Sequence, residues 1–204
     1  MARARFGEVL AHSFYERPAE AVARSLLGKV LVHGTTAGRI VETEAYLGVH
    51  DAAAHAAAGL TARTRVLFGP PGHAYVYFIY GMYECLNLVA EPDGSPGCVL
   101  IRALEPVAGL EEMRRRRGAI RKEEDLANGP GKLTIAMGIS RAAHNGCDVT
   151  AGPLTVCAGD EADAFRIAVG PRVGITKASD WMLRFAIAGN RYVSKPRLPD
   201  VEGA

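Results

Sequence analysis

The chain has 204 residues, with 24 Lys+Arg against 22 Asp+Glu and a formal charge of +2. At 49% hydrophobic and 23% charged residues it has the composition of a globular chain with its own core, which excludes a disordered polypeptide. Near-balanced charge excludes an overall basic character but not a basic face, so a nucleic-acid partner stays open.

Met1 to Glu8 lacks the apolar run of a signal peptide, and the most apolar stretch, His73 to Ala90, is interrupted by Tyr75, Tyr77, Tyr80, Gly81, Glu84 and Asn87. A soluble cytoplasmic protein is expected, nucleoid-associated if bacterial, with no membrane partner. Cys85, Cys98, Cys147 and Cys157 show neither CxxC spacing nor companion histidines, so reduced thiols are expected rather than disulfides or a zinc site.

In chain order, Pro18 to Leu27 predicts a helix, with proline in the first turn and Gly28 at the exit. Lys29 to His33 and Arg39 to Leu47 predict strands joined by a longer loop, Gly34 to Gly38. Asp51 to Ala58 predicts a short helix capped by Asp51, and Gly69-Pro70-Pro71-Gly72 a turn. His73 to Tyr80, Tyr83 to Ala90 and Cys98 to Ala103 predict an antiparallel meander. Helices are expected over Pro106 to Arg117 and Gly131 to Gly138, then strands at Leu154 to Cys157, Arg166 to Val169 and Leu183 to Ala188. Without a repeat or a linker, the expectation is one α+β domain spanning residues 1–204.

Three features could carry chemistry. Alternation along Val41-Glu42-Thr43-Glu44-Ala45-Tyr46 puts Glu42, Glu44 and Tyr46 on one strand face. Charges are usually exposed, so a solvated face is the commoner arrangement; the functional one is a carboxylate base beside an aromatic wall. Tyr75, Tyr77, Tyr80 and Tyr83 form a ladder around Gly81-Met82. Ladders are commonly packing, yet a bulky apolar hairpin tip needs a partner, either stacked bases or another subunit. Arg102, in the apolar Val99 to Leu104, needs an anion such as Glu44 unless it points outward from an edge strand.

Other signals are weaker. His50 and His55 lack a third ligand, so no metal site and no cofactor are expected. Gly129-Pro130-Gly131-Lys132 lacks the spacing of a phosphate loop but could offer amides and one ammonium. The run Arg114 to Arg117, with Arg121 and Lys122, is flanked by Glu111, Glu112, Glu123, Glu124 and Asp125, which suits a solvated, ion-paired helix.

Taken together, Arg39 to Gly48, His55, Tyr75 to Tyr83, Asn87 and Arg102 to Pro106 closely resemble the alkyladenine (3-methyladenine) DNA glycosylase family of the mammalian type. Gly129 to Leu133, Arg172-Val173-Gly174 and Leu183-Arg184-Phe185 extend the resemblance over nearly the whole chain, in order. It implies a single mixed domain with a curved antiparallel sheet, flanking helices and a protruding DNA-intercalating hairpin, and a metal-free enzyme that flips alkylated or deaminated purines from duplex DNA and hydrolyses the N-glycosidic bond. Substrates of the 3-methyladenine type are implied, with hypoxanthine and ethenoadenine as further candidates. By the same resemblance Glu44 activates water and Arg102 helps hold it. Tyr46 stacks on one face of the flipped base and His55 and Tyr77 on the other. Asn87 crowds the exocyclic amino group of guanine, and Val173 lines the water site. Tyr80 fills the gap left in the duplex, with Met82 beside it.

With no lysine at the corresponding place, hydrolysis without lyase chemistry is expected, from a monomer. The alternatives are a non-catalytic lesion-binding module and a nucleoside hydrolase. Backbone contacts are expected from Arg63, Arg65, Lys132, Arg141 and Arg172, while Glu84 would approach phosphates unless it turns away.

Overall fold

The computed structural model describes residues 6–79, 81–159 and 164–199. An eight-stranded antiparallel sheet organises the chain, in the order β3-β4-β5-β2-β1-β6, with β8 joined to β2 and β7 to β8. The strands are β1 (Val30–His33), β2 (Thr36–Tyr46), β3 (Ala74–Ile79), β4 (Tyr83–Ala90), β5 (Gly97–Ala108), β6 (Leu154–Cys157), β7 (Ile167–Gly170) and β8 (Arg184–Ile187). The helices are α1 (His12–Tyr15), α2 (Ala19–Leu26), α3 (Leu110–Arg117), α4 (Pro130–Met137) and α5 (Arg141–His144). This is the expected α+β architecture with few helices.

The two sheet faces divide the labour. Val76, Leu86, Leu88, Val99, Ile101, Val41 and Ala45 join α2, α3 and α4 in the main core. The alternate residues Tyr75, Val89 and Cys98 face a smaller cluster with Ala54, Ala56 and Leu67, and this is the side that carries the chemistry. Period-two alternation is the reason one strand serves both sides.

Local expectations fail where tertiary contact overrides turn chemistry. The loop between β1 and β2 is only Gly34-Thr35, because Thr36 already pairs with His33. Gly38 lies inside β2, where a Cβ would come within 2.9 Å of Leu104; its glycine serves close approach, not the turn. Pro106 stays in β5, opposite Gly38, so the following helix starts at Leu110 rather than Pro106. The helix expected from Asp51 is instead a pair of 3-10 turns, Gly48–His50 and His55–Ala58. Asp51 accepts the amides of Leu47 and Ala53 and is drawn into a buried pair with Arg172. Helices α1 and α5 lie outside the expected elements, although Ser140 caps α5 by accepting the Ala143 amide.

Arg116 and Arg117 depart from a solvated face. Arg114, Arg115 and Arg116 pair with Glu111 or Glu112, but Arg116 also donates to Ala136 O and Arg117 to Leu126 O.

Candidate active site

Strand register assembles the centre. Tyr75 lies opposite Asn87, Asn87 opposite Leu100, Leu100 opposite Glu44 and Glu44 opposite Arg184, a row across five strands. Between Ile40↔Leu104 and Thr43↔Ile101 the β2–β5 ladder is irregular: Val41 is extra on one strand, Arg102 on the other. Such paired bulges re-aim side chains without losing register beyond them. Arg102 thereby reaches Glu42 and Glu44 together, and β5, with β4 and β2 on either side, is not the edge strand that an outward Arg102 would require.

Glu42 and Glu44 are both 0% exposed, which overturns the solvated-face arrangement. Arg102 Nε donates to Glu42 Oε1 at 2.9 Å and its Nη1 lies 3.1 Å from Glu44 Oε1. Arg184 Nε adds a bond to Glu42 Oε1 at 2.7 Å, and Ser194 donates its amide and hydroxyl to the same carboxylate at 2.7 and 3.0 Å. Two carboxylates and two guanidiniums balance one another, which is what makes burial tolerable.

The two carboxyls differ in environment. Burial pushes Glu42 up, but Arg102, Arg184 and Ser194 outweigh it and hold the carboxyl below its usual range. At Glu44 burial prevails over Arg102, the Val173 amide and Tyr46, and its pKa is raised. Glu44 is thus the more basic of the pair. Its Oε1 accepts from Val173 N at 2.8 Å and its Oε2 from the Tyr46 hydroxyl at 2.9 Å.

In front of Glu44 opens a cleft of about 1030 Å³, lined among others by Tyr46, His55, Tyr77, Asn87, Arg102 and Val173. His55 and Tyr77 meet edge to face with centroids 4.5 Å apart, and Tyr75 lies 5.6 Å from Tyr77. Asn87 is 3% exposed and donates to Tyr75 O at 3.2 Å. The structure brings all the expected pocket residues to one cavity.

The expected backbone contacts divide. Arg63 and Lys132 line the cleft, Lys132 donating to Asn128, while Arg65 and Arg141 are exposed outside its lining. Arg172 is a correction. Its guanidinium is 0% exposed, spans both oxygens of Asp51, donates to Ala45 O and lies 4.6 Å above the Tyr46 ring, leaving no face for a phosphate. It acts instead on its neighbour, fixing the loop that presents the Val173 amide to Glu44.

Met82 is 64% exposed at the hairpin tip; Tyr80 lies outside the described residues. Glu84 turns its carboxylate onto the Arg141 amide at 2.7 Å.

Arg184 and Ser194 complete the centre, although the sequence expectations give neither a role; Arg184 lies in the Leu183-Arg184-Phe185 motif of the resemblance. Arg184 carries the signal that marks Arg102, a guanidinium inside an apolar strand; Ser194 carries none. Arg117 is a further cleft residue hidden in the arginine run. Among the described residues no cluster of His, Cys, Asp or Glu could hold a metal, and no helix is long and apolar enough to cross a membrane.

An open antiparallel sheet thus carries a buried centre of two carboxylates and two guanidiniums beside an aromatic cleft. Residues 13–191 match the family model described as methylpurine-DNA glycosylase. Relatives named "Putative 3-methyladenine DNA glycosylase" include one from Methanocella arvoryzae, 55% identical over 86% of this chain and 89% of its own. Others are from Koribacter versatilis, at 48% over 92% and 94%, and from Methanoculleus marisnigri, at 52% over 90% and 97%. The chain belongs to the methylpurine-DNA glycosylase family, a family of DNA-repair glycosylases.

Proposed function

We propose that this protein is a monofunctional DNA glycosylase that flips alkylated or deaminated purines from duplex DNA and hydrolyses their N-glycosidic bond. The carrying observation is a fully buried carboxylate, Glu44, behind an aromatic cleft, with three donors on its oxygens. An ionised carboxylate offers about four acceptor positions, so one remains for a water.

Extruding a base costs roughly a few kcal/mol of lost stacking and pairing. Tyr80 and Met82 at the tip fill the gap, and Tyr46, His55 and Tyr77 stack on the extruded purine at roughly 1–3 kcal/mol per stacked base. Alkylation at a ring nitrogen makes the purine a cation, attracted to ring faces and readily expelled. As the C1′–N bond breaks, its electrons neutralise a cationic base, or leave a neutral purine as an anion that takes up a proton from solvent, and the sugar becomes oxocarbenium-like. Ionised Glu44 stabilises that charge and takes a proton as water adds to C1′. Free base and an abasic site result. Arg102 holds Glu44 in its acceptor state, and Asn87 crowds the N2 amino group of undamaged guanine.

Among the described residues, five basic side chains line the cleft, Arg63, Arg102, Arg117, Lys132 and Lys177, and no Asp or Glu does. This favours a polyanionic partner despite the balanced total charge. The test uses duplexes carrying 3-methyladenine, hypoxanthine or ethenoadenine, with free nucleosides and a borohydride trap as controls. Base release from duplex without a trapped Schiff base is expected. Binding without release from any lesion would make the protein a lesion-binding module, and nucleoside cleavage indifferent to Tyr80→Ala would make it a nucleoside hydrolase.

A further inference from the structure

His55 sits in the cleft wall with a partner on each ring nitrogen. Its Nδ1 is 3.0 Å from the Tyr75 hydroxyl, and its Nε2 is 3.4 Å from Nη2 of Arg63. A guanidinium has only donors and does not lose its proton in a protein, so Nε2 must accept. The imidazole proton then belongs on Nδ1, where it is donated to the Tyr75 oxygen. Protonating Nε2 would set N–H against N–H and one positive charge against another.

From this geometry we infer that Arg63 is a positioning residue that locks His55 in the neutral, Nδ1-protonated form. The groups facing the ring are Arg63, Tyr75 and Tyr77, with Arg63 also over the Tyr77 ring at 5.6 Å. Arg63 also acts on the Tyr75 hydroxyl, by a hydrogen bond and by its charge, with smaller influences from Cys98 and Arg141. Burial and Arg63 both press the His55 pKa below its ordinary value.

The consequence concerns the proposed substrate, and this part rests on the glycosylase reading. A charged imidazole stacked on the purine would repel an alkylated, cationic base but not a neutral one such as hypoxanthine. Arg63 moves the positive charge to the exposed rim, where DNA phosphates can neutralise it, and keeps it out of the stack. The contact also gives Arg63 a task besides phosphate binding.

The direct test is nitrogen-15 NMR of the His55 ring in the free protein, compared with Arg63→Gln and Arg63→Lys. Glutamine can donate or accept, whereas lysine keeps a donor-only charge. Wild type is expected to show the Nδ1–H tautomer and to stay neutral to mildly acid pH. In Arg63→Gln the His55 pKa should rise by about one unit, a tenfold change in the ratio of its forms, with Arg63→Lys restoring most of the shift. An Nε2–H tautomer in wild type, or a titration that Arg63→Gln leaves unmoved, would overturn the inference. A second readout is the ratio of 3-methyladenine to hypoxanthine release at pH 6. It should fall in Arg63→Gln and recover at pH 8; a ratio independent of pH and of residue 63 would remove the role in selectivity. If no variant releases any base, the glycosylase reading fails, and the NMR comparison still decides the tautomer.

Discussion

At the scale of single residues, the proposed function rests on the different environments of two carboxyls two positions apart. Glu42 holds two guanidiniums and a serine; Glu44 holds one guanidinium, one amide and one hydroxyl. Their opposite shifts give opposite pH signatures. Glu44 must be ionised to accept a proton, and its pKa is raised, so the acid limb of single-turnover excision should lie above the ordinary carboxyl value of 4.5. An acid limb at or below that value would contradict burial as the dominant influence. Glu42 has the depressed pKa, so its stabilisation is complete above its unfolded-state value of 4.5 and is lost as pH falls through the lower folded value. Urea unfolding of wild type and Glu42→Gln should therefore differ by a constant amount at neutral pH, with the gap narrowing as pH falls below 4.5. A gap unchanged down to pH 3 would mean that Glu42 stabilises without its charge.

At the scale of elements, two devices aim the site: the paired bulges in β2 and β5, and the loop held by Arg172 and Asp51. Removing Asp51 as Asp51→Ala leaves a buried guanidinium uncompensated, for which about 3–5 kcal/mol of stability loss is expected. If the protein stays folded, excision should fall with it, because the Val173 amide is no longer held on Glu44. Thermal unfolding checks the first and single-turnover rates the second. Gly131, in the first turn of α4, supports the hairpin: a Cβ there would lie 2.9 Å from the Tyr83 ring. Gly131→Ala should cost about 1–3 kcal/mol through overpacking, with duplex affinity reduced as Tyr83 moves. An unchanged melting temperature would show that the ring yields freely. These elements also mark what sequence reveals. Alternation puts Glu42, Glu44 and Tyr46 on one face, and apolar surroundings mark Arg102 as needing an anion. What stays hidden is whether that face is solvated and which strand lies beside β2. Those depend on long-range register, which brings Arg184 against Glu44 across 140 residues of separation. Arg172 is the instructive case: adjacent to a site residue and basic, it suggests a phosphate contact, but Asp51 claims it.

At the scale of the whole molecule, net charge says little and its placement says more. The +2 total conceals a cleft whose lining, among the described residues, includes Arg and Lys but neither Asp nor Glu, while acids pair locally along α3. Duplex binding should therefore weaken with salt, with a log–log slope of roughly −0.9 per phosphate contacted, and Lys132→Ala should reduce that slope by about one contact. A salt-independent affinity would point away from DNA. The most direct test of the account is single-turnover release of hypoxanthine from a duplex by wild type and Glu44→Gln, with duplex affinity measured on both. The account predicts a rate loss of about 10²–10⁴-fold, the range for a lost general base, with affinity changed only a few-fold. Release by Glu44→Gln at the wild-type rate would contradict it.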